Sequence, residues 1–320
     1  MIKTKIEDRD LLLHLDGIPE DGRQVVLLAD GQIRLTGLGG TTMVNQMRAN
    51  FNLGMLETYI LGQAYVAAGL MASSVKGNDR IQLNVECGGP VGGIYVESWA
   101  CGAVRGFIKN NPIQLEKQLE GKDLSLLYGP GFISVTKLLE GNRTPFTGQT
   151  MMQYGDLARD LALYYNESEQ TPTMFSLGVH FDDKGRVTGA AGLFMQALPG
   201  CSDEVLDKLQ EKSTKLPSMA KAIAAGTSVL DYITANFADF GIENLGTEPL
   251  GFSCPCTRDH FRTFLGRLPE DEKEGIIKDG KFPLELECLN CGTKYSFSEY
   301  EIKALFGEGT DDKDKDKDKE

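Results

Sequence analysis

The stretch Phe252-Ser253-Cys254-Pro255-Cys256-Thr257-Arg258, answered downstream by Cys288-Leu289-Asn290-Cys291-Gly292, decides how the carboxy-terminal quarter of this chain folds. Two close cysteine pairs with the 31 residues 257–287 between them have the form of a four-sulfur zinc site. Each pair offers two thiolates within a few residues, and two pairs complete a tetrahedron around one ion. The ion's charge in turn keeps four neighbouring thiolates deprotonated. Four buried cysteines in an ordinary small core would not explain the pairing. Cys254, Cys256, Cys288 and Cys291 are therefore the candidate ligands of one zinc ion, Zn2+. The first pair encloses a single proline, where zinc ribbons generally have two residues. The spacing predicts helices over 257–265 and 269–278, and Phe261, Phe264, Phe282, Tyr295 and Phe297 are candidates to cover the metal.

A module spanning 249–306 is marginal on its own apolar core, since domains of about 60 residues bury too little surface. Structural zinc contributes on the order of 10–16 kcal/mol to such folds. If an oxidant instead closed a disulfide within each short pair, loop entropy would return roughly 2 kcal/mol or less per bond. Oxidation would then unfold the module. A static, shielded zinc ribbon fits the same spacing, and at this level both readings stay open.

Upstream, residues 200–248 carry three short helical patterns, broken at Pro217 and Gly226. The first starts at Ser202-Asp203-Glu204, with Val205, Leu206 and Leu209 as its apolar stripe. The second covers 219–225 and the third is built on Val229, Leu230, Ile233 and Phe237. Each is too short to be stable alone in water. They read as a metastable helical linker whose order depends on what it docks against. Residues 1–199 mix strands and helices without regular alternation, which favours an α+β domain. A hairpin is expected over 24–36 around Asp30-Gly31, with strands at 81–86, 94–97, 104–108, 126–128, 132–136, 175–180 and 187–194. Helical spacing marks 156–165, and the apolar stretch 55–72, interrupted by Glu57 and Gln63, reads as a buried helix rather than a membrane span. Residues 307–320, ending DDKDKDKDKE, are low-complexity mixed charge and read as a disordered tail.

The 320 residues carry a net charge of −13, so binding to phosphate backbones or anionic membranes is disfavoured. MIKTKIEDRD at the start lacks the apolar core of a secretion signal, and a cytoplasmic location is expected. Reducing conditions there suit seven cysteines used for metal or redox chemistry rather than a disulfide framework. The glycine-rich stretches 37–42 and 88–93 read as turns, because neither holds the Gly-Lys-Ser/Thr of a phosphate loop. No nucleophile–base set is visible, so an enzyme is not expected. Cys87 reads as a core residue, Cys101 as an exposed turn thiol, His260 as a weak competitor for the metal, and His14 and His180 as ordinary residues.

These residues resemble a known family, the redox-regulated 33 kDa chaperonins (heat shock protein 33). The cysteine arrangement and its flanks carry the likeness, with Gly89-Pro90-Val91-Gly92, Val104-Arg105-Gly106, 129–136, Ser168-Glu169-Gln170, Thr171-Pro172-Thr173, Ala190-Ala191-Gly192 and Gln196-Ala197-Leu198-Pro199. It covers roughly 55–306. The resemblance implies an ATP-independent holdase chaperone of the stress response, inactive when reduced and zinc-bound. Oxidation would form Cys254–Cys256 and Cys288–Cys291 disulfides, release zinc, unfold the linker and expose surface that captures unfolding clients, in a homodimer. It divides the chain into an α+β chaperone core (1–199), the linker (200–248), the zinc redox module (249–306) and the tail. Thr257-Arg258-Asp259-His260 departs from the family's more usual Ser-Arg-Glu-Arg, and the first fifty residues match weakly. The rival reading is a constitutive zinc ribbon that binds a protein or RNA partner. A thiol–disulfide oxidoreductase acting through Cys288 and Cys291 is disfavoured by the lack of a βαβ context.

Overall fold

The computed structural model describes residues 1–115, 124–142 and 144–307. The chain folds as two units, Thr4–Cys254 and a smaller one that joins Met1–Lys3 to the chain from Pro255 onward.

In the larger unit, α1 (Arg9–Gly17) starts at Asp8, whose side chain accepts from the Leu11 N–H. The hairpin β1 (Gly22–Leu28) and β2 (Ile33–Gly39) turns through Ala29, Asp30 and Gly31, all at positive φ. α2 (Thr41–Phe51) and α3 (Met55–Met71) follow. Then come β3 (Arg80–Cys87), β4 (Gly93–Trp99), β5 (Ala103–Ile108), α4 (Ser125–Tyr128), β6 (Gly131–Leu138) and β7 (Phe146–Met151). After α5 (Leu157–Ser168), β8 (Thr173–Phe181) and β9 (Val187–Ala197), three helices α6 (Asp203–Ser213), α7 (Met219–Ala224) and α8 (Val229–Phe237) lead into β10 (Ile242–Pro249) and β11 (Gly251–Phe252).

These strands form two sheets, β10-β1-β2-β9-β8 and β11-β5-β4-β3-β6-β7. α3 lies between them. Val66 and Leu70 approach Gly192 on β9, while the Tyr65 hydroxyl donates to the Gly106 carbonyl on β5 at 2.7 Å. A helix wedged between two sheets must be apolar all round, which is why 55–72 imitates a membrane span. No helix among the described residues is long and apolar enough to cross a membrane.

The expected α+β class is therefore found. Within 1–199 two local readings differ. Residues 126–128, expected as a strand, lie in the helical turn α4. The stretch 37–42, expected as a turn, is the end of β2 followed by the start of α2. Gly37 is needed there, because a Cβ would sit 2.8 Å from Val229 Cγ1.

The three helices of 200–248 lie on the outer face of the five-stranded sheet. Met219, Ile223, Tyr232, Ile233 and Phe237 share one core with Val26, Leu28, Ile33, Leu35, Leu193 and Met195. Ser202, Ser218 and Ser228 cap α6, α7 and α8, each accepting a backbone N–H of the first turn. The segment ends in β10, a strand absent from the helical reading, which pairs antiparallel with β1. Arg23 on β1 is buried and donates to Glu248 on β10 at 2.5 Å and to the Gly69 carbonyl of α3 at 3.0 Å. A buried guanidinium without acceptors would be costly, so these partners hold β10 in place.

In the smaller unit, α9 (Arg258–Gly266) and α10 (Glu270–Asp279) fill the span between the cysteine pairs, close to expectation. A two-stranded sheet of β12 (Leu284–Glu287) and β13 (Lys294–Phe297) brackets the second pair, and α11 (Glu299–Phe306) closes the unit. The disordered-tail reading falls almost wholly on 308–320, outside the described residues.

Candidate metal centre

The first pair is delivered by β11. Its Gly251 and Phe252 lie beside Ala103 and Val104 of β5 in parallel register, and the Ser253 N–H donates to the Val104 carbonyl at 2.9 Å. This brings Cys254 next to Arg105, which donates through Nη1 to the Cys254 sulfur at 3.3 Å. Arg105 is itself held by Glu97 on β4, with Nε 2.7 Å from Oε2. Glu97 is nearly inaccessible and also accepts from Gln82 at 2.5 Å and Tyr95 at 2.7 Å. Burial works to raise its carboxyl, but the Tyr95, Gln82 and Arg105 hydrogen bonds outweigh that and hold it below the usual range.

The second pair sits on a tight knuckle between β12 and β13. The N–H groups of Cys291 and Gly292 both donate to the Cys288 carbonyl, at 3.1 and 2.8 Å, and Cys288 N–H donates to the Thr293 carbonyl at 2.9 Å. Gly292 has φ +66°, a conformation that favours glycine. Such a knuckle turns two thiols to one side of the backbone.

All four cysteines are buried, and their sulfurs lie within 4.8 Å of one another. Cys256 and Cys291 are 3.4 Å apart. Metal–sulfur bonds of about 2.3 Å require tetrahedral edges of about 3.8 Å, so the donor set fits one thiophilic ion with small adjustments. Among the described residues these four are the one group of His, Cys, Asp or Glu side chains so placed, and His260 is not part of it.

Tyr295 on β13 lies against the first pair, its hydroxyl donating to the Cys256 carbonyl at 3.0 Å and lying 3.4 Å from the Cys256 sulfur. Burial, then the Cys256 sulfur, raises its phenol far above the ordinary value. Phe261 packs on Tyr295 at 5.2 Å and Phe297 is buried, whereas Phe264, expected as a cover, is 60% exposed. Cys101 is exposed in the β4–β5 turn; Cys87 and Cys201 have thiols pushed up by burial. None of the three joins the cluster.

Two features carried no signal in the sequence. Arg105 and Glu97 come from separate strands and meet only through sheet register. Met1 and Ile2 enter the module: the Met1 amino group donates to the Cys256 carbonyl at 2.6 Å, and the Thr293 hydroxyl exchanges hydrogen bonds with the Ile2 backbone at 3.2 and 3.1 Å.

Fold and site together define an α+β protein carrying a buried four-cysteine centre able to bind a metal ion. A family model described as "Hsp33 protein" matches residues 21–298. The chain belongs to the Hsp33 family, and the resemblance read from its motifs is confirmed. A 33 kDa chaperonin of Desulforamulus reducens is 34% identical over 278 residues, 87% of this chain and 94% of the relative. That of Ruminiclostridium cellulolyticum is 33% identical, across 88% and 96% of the two chains. The crystal structure of the Thermotoga maritima 33 kDa chaperonin, a heat shock protein 33 homologue, matches with a TM-score of 0.80 at 29% identity, covering 90% of this chain and 98% of that one. The family supports a chaperone, a class that binds unfolded clients, rather than an enzyme.

Proposed function

We propose that this chain is a redox-regulated, ATP-independent holdase, inactive while Cys254, Cys256, Cys288 and Cys291 hold one zinc ion. The observation that carries it is the four buried sulfurs following, within the same chain, three helices docked on an apolar sheet face. Bound zinc would supply positive charge that holds four thiolates together and stabilises the module. Four sulfur donors with no oxygen ligand suit zinc among common ions.

The proposed activation begins with hydrogen peroxide. Within each pair two thiolates give two electrons to one peroxide, which takes up two protons from solvent and leaves as two waters, so two equivalents form Cys254–Cys256 and Cys288–Cys291. With no thiolates left the four cysteines would no longer hold an ion, and about 10–16 kcal/mol of metal-linked stability would be exchanged for two short-loop disulfides. The module 249–306 then unfolds. The linker 200–248, which follows the core 1–199 and leads straight into Cys254, loses its folded boundary. Release of α7 and α8 would bare Leu28, Ile33, Leu35, Leu193 and Met195, an apolar face of the kind that captures unfolding clients. The oxidised form acts as a homodimer in the cytoplasm, without nucleic acid or membrane.

The test is peroxide treatment of zinc-loaded protein at elevated temperature, following zinc release with a chromogenic chelator alongside light scattering of an unfolding client. Zinc release with suppressed scattering is expected. Release with unchanged aggregation would remove the holdase reading, and retained zinc would favour a constitutive ribbon.

A further inference from the structure

Arg105 has an environment that sheet stability alone does not explain. It lies on the outer face of the six-stranded sheet, and its side chain is 16% exposed. Two of its nitrogens converge on Glu97 Oε2, Nε at 2.7 Å and Nη2 at 2.6 Å, and its guanidinium lies 5.0 Å over the Trp99 ring. The remaining nitrogen, Nη1, is aimed at the Cys254 sulfur. Glu97 is fixed in turn by Gln82 and Tyr95. Glu97, Trp99, Gln82 and Tyr95 thus fix the direction of one N–H bond, and that bond ends on a thiol of the metal cluster.

We propose that Arg105 is a positioning residue for the metal centre, hydrogen-bonding the Cys254 thiolate and thereby setting how strongly that sulfur binds metal and how readily it meets an oxidant. This rests on the reading of the four cysteines as ligands. A charge-assisted hydrogen bond draws electron density from sulfur and holds its lone pairs in one orientation. It lowers the sulfur's nucleophilicity towards peroxide and removes the entropy of ordering that ligand. Partners that orient metal ligands in this way typically account for about 10–100-fold in metal affinity. Glu97 acts one step further out by aligning the guanidinium.

The experiment uses the full reduced chain loaded with Co2+ as a spectroscopic stand-in, with competition against a chelator for zinc affinity. Wild type should show sulfur-to-cobalt charge-transfer bands; their absence would sink the metal-site reading itself. In Arg105→Gln those bands should move to longer wavelength, because an unbonded thiolate gives up electrons more easily. Zinc affinity should fall about 10–100-fold and peroxide-driven release should quicken. Arg105→Lys, keeping charge without the fork, should recover part of the affinity, and Glu97→Gln should shift the bands in the same direction by less. Bands and affinity unchanged from wild type, with only the melting temperature lowered, would overturn the proposal. Fluorescence of Trp99, the one tryptophan of the chain, checks that the sheet is folded. Should Arg105→Gln not fold, Arg105→Lys and Glu97→Gln decide the matter on the same criteria.

Discussion

Substituting Gly189 by alanine separates linker docking from cysteine chemistry. Gly189 lies on β9 under α7. A Cβ there would fall well inside the contact distance of the Ala220 carbonyl oxygen, 3.0 Å from the carbonyl carbon and 3.1 Å from Ala224 Cβ. These atoms are mostly backbone and cannot swing aside, so the helix itself must retreat. Overpacking of this kind costs typically 1–3 kcal/mol, and a backbone obstacle places the change near about 3 kcal/mol. Against this, α7 buries Met219, Ala220 and Ile223, with roughly 1.5–3 kcal/mol for each of the two large side chains. The docked helix thus loses half or more of what these two side chains contribute. At about 1.4 kcal/mol per tenfold, hydrogen-exchange protection of 219–224 should fall roughly 100-fold. Strands β3 to β6 and the metal content should be unchanged. If linker docking restrains activity, Gly189→Ala should suppress client aggregation while still reduced and zinc-loaded. A variant with the loosened helix that captures no client until oxidised would refute the idea that undocking suffices.

Chelating the metal from reduced protein should unfold 255–306 and loosen the linker helices of 200–248, seen as exchange protection lost in both and kept in strands β3 to β6. Ser298 accepts the Glu301 N–H and Glu301 returns a carboxylate to the Ser298 N–H, so Ser298→Ala should cost the module about 1 kcal/mol in chelator-free melts. The Glu301 carboxyl is held at about 2, first by the Ser298 N–H and then by Arg258; its contribution is full above the ordinary value of 4.5 and fades as pH falls towards 2. Asp21 shows the opposite sign: burial outweighs the N–H donors of Met43, Thr42 and Thr41 and raises it from 3.8 to about 6. The folded state then binds more protons, so its stabilisation is present below about pH 4 and lost as pH rises through 6. The change is about 1–3 kcal/mol after solvent screening. Asp21→Asn should flatten the pH 4–6 slope of denaturant melts.

What was legible in the sequence followed the range of the interaction. The cysteine pairs, the Asp30-Gly31 hairpin, α9, α10 and the serine-led linker helices are encoded within a few residues, and each lies near its expected place. Residues 126–128 misled because three apolar residues do not distinguish a strand from a buried helical turn. β10 was hidden because its side chains, in Ile242-Glu243-Asn244-Leu245-Gly246-Thr247-Glu248, are mostly exposed at a sheet edge; it exists because β1 pairs with it and Arg23 needs Glu248. Phe264 was expected inwards from composition, whereas the phase of α9 turns it to solvent. The cysteine cluster was legible in its four residues and illegible in Arg105, Glu97 and Ile2, whose positions depend on strand register and on chain closure across some 290 residues.

The docked linker also bears on the proposed metal-controlled switch. α6 buries only Leu209 fully, and its exposed face carries Glu204, Asp207, Lys208 and Glu211. α8 places Ile233 and Phe237 deep in the sheet core and ties back to the Pro217 carbonyl through the Tyr232 hydroxyl at 2.5 Å. The attachment is therefore graded, weak at α6 and strong at α8. Each helix is too short to persist once it leaves the sheet. A linker held in this way stays docked on a difference of a few kcal/mol. Metal coordination at the end of the same segment, as proposed, would contribute several times more. Under the proposed mechanism this inequality makes the thiols the controlling element. Losing the ion can release helices held by so little, without any change to the sheet that clients would meet.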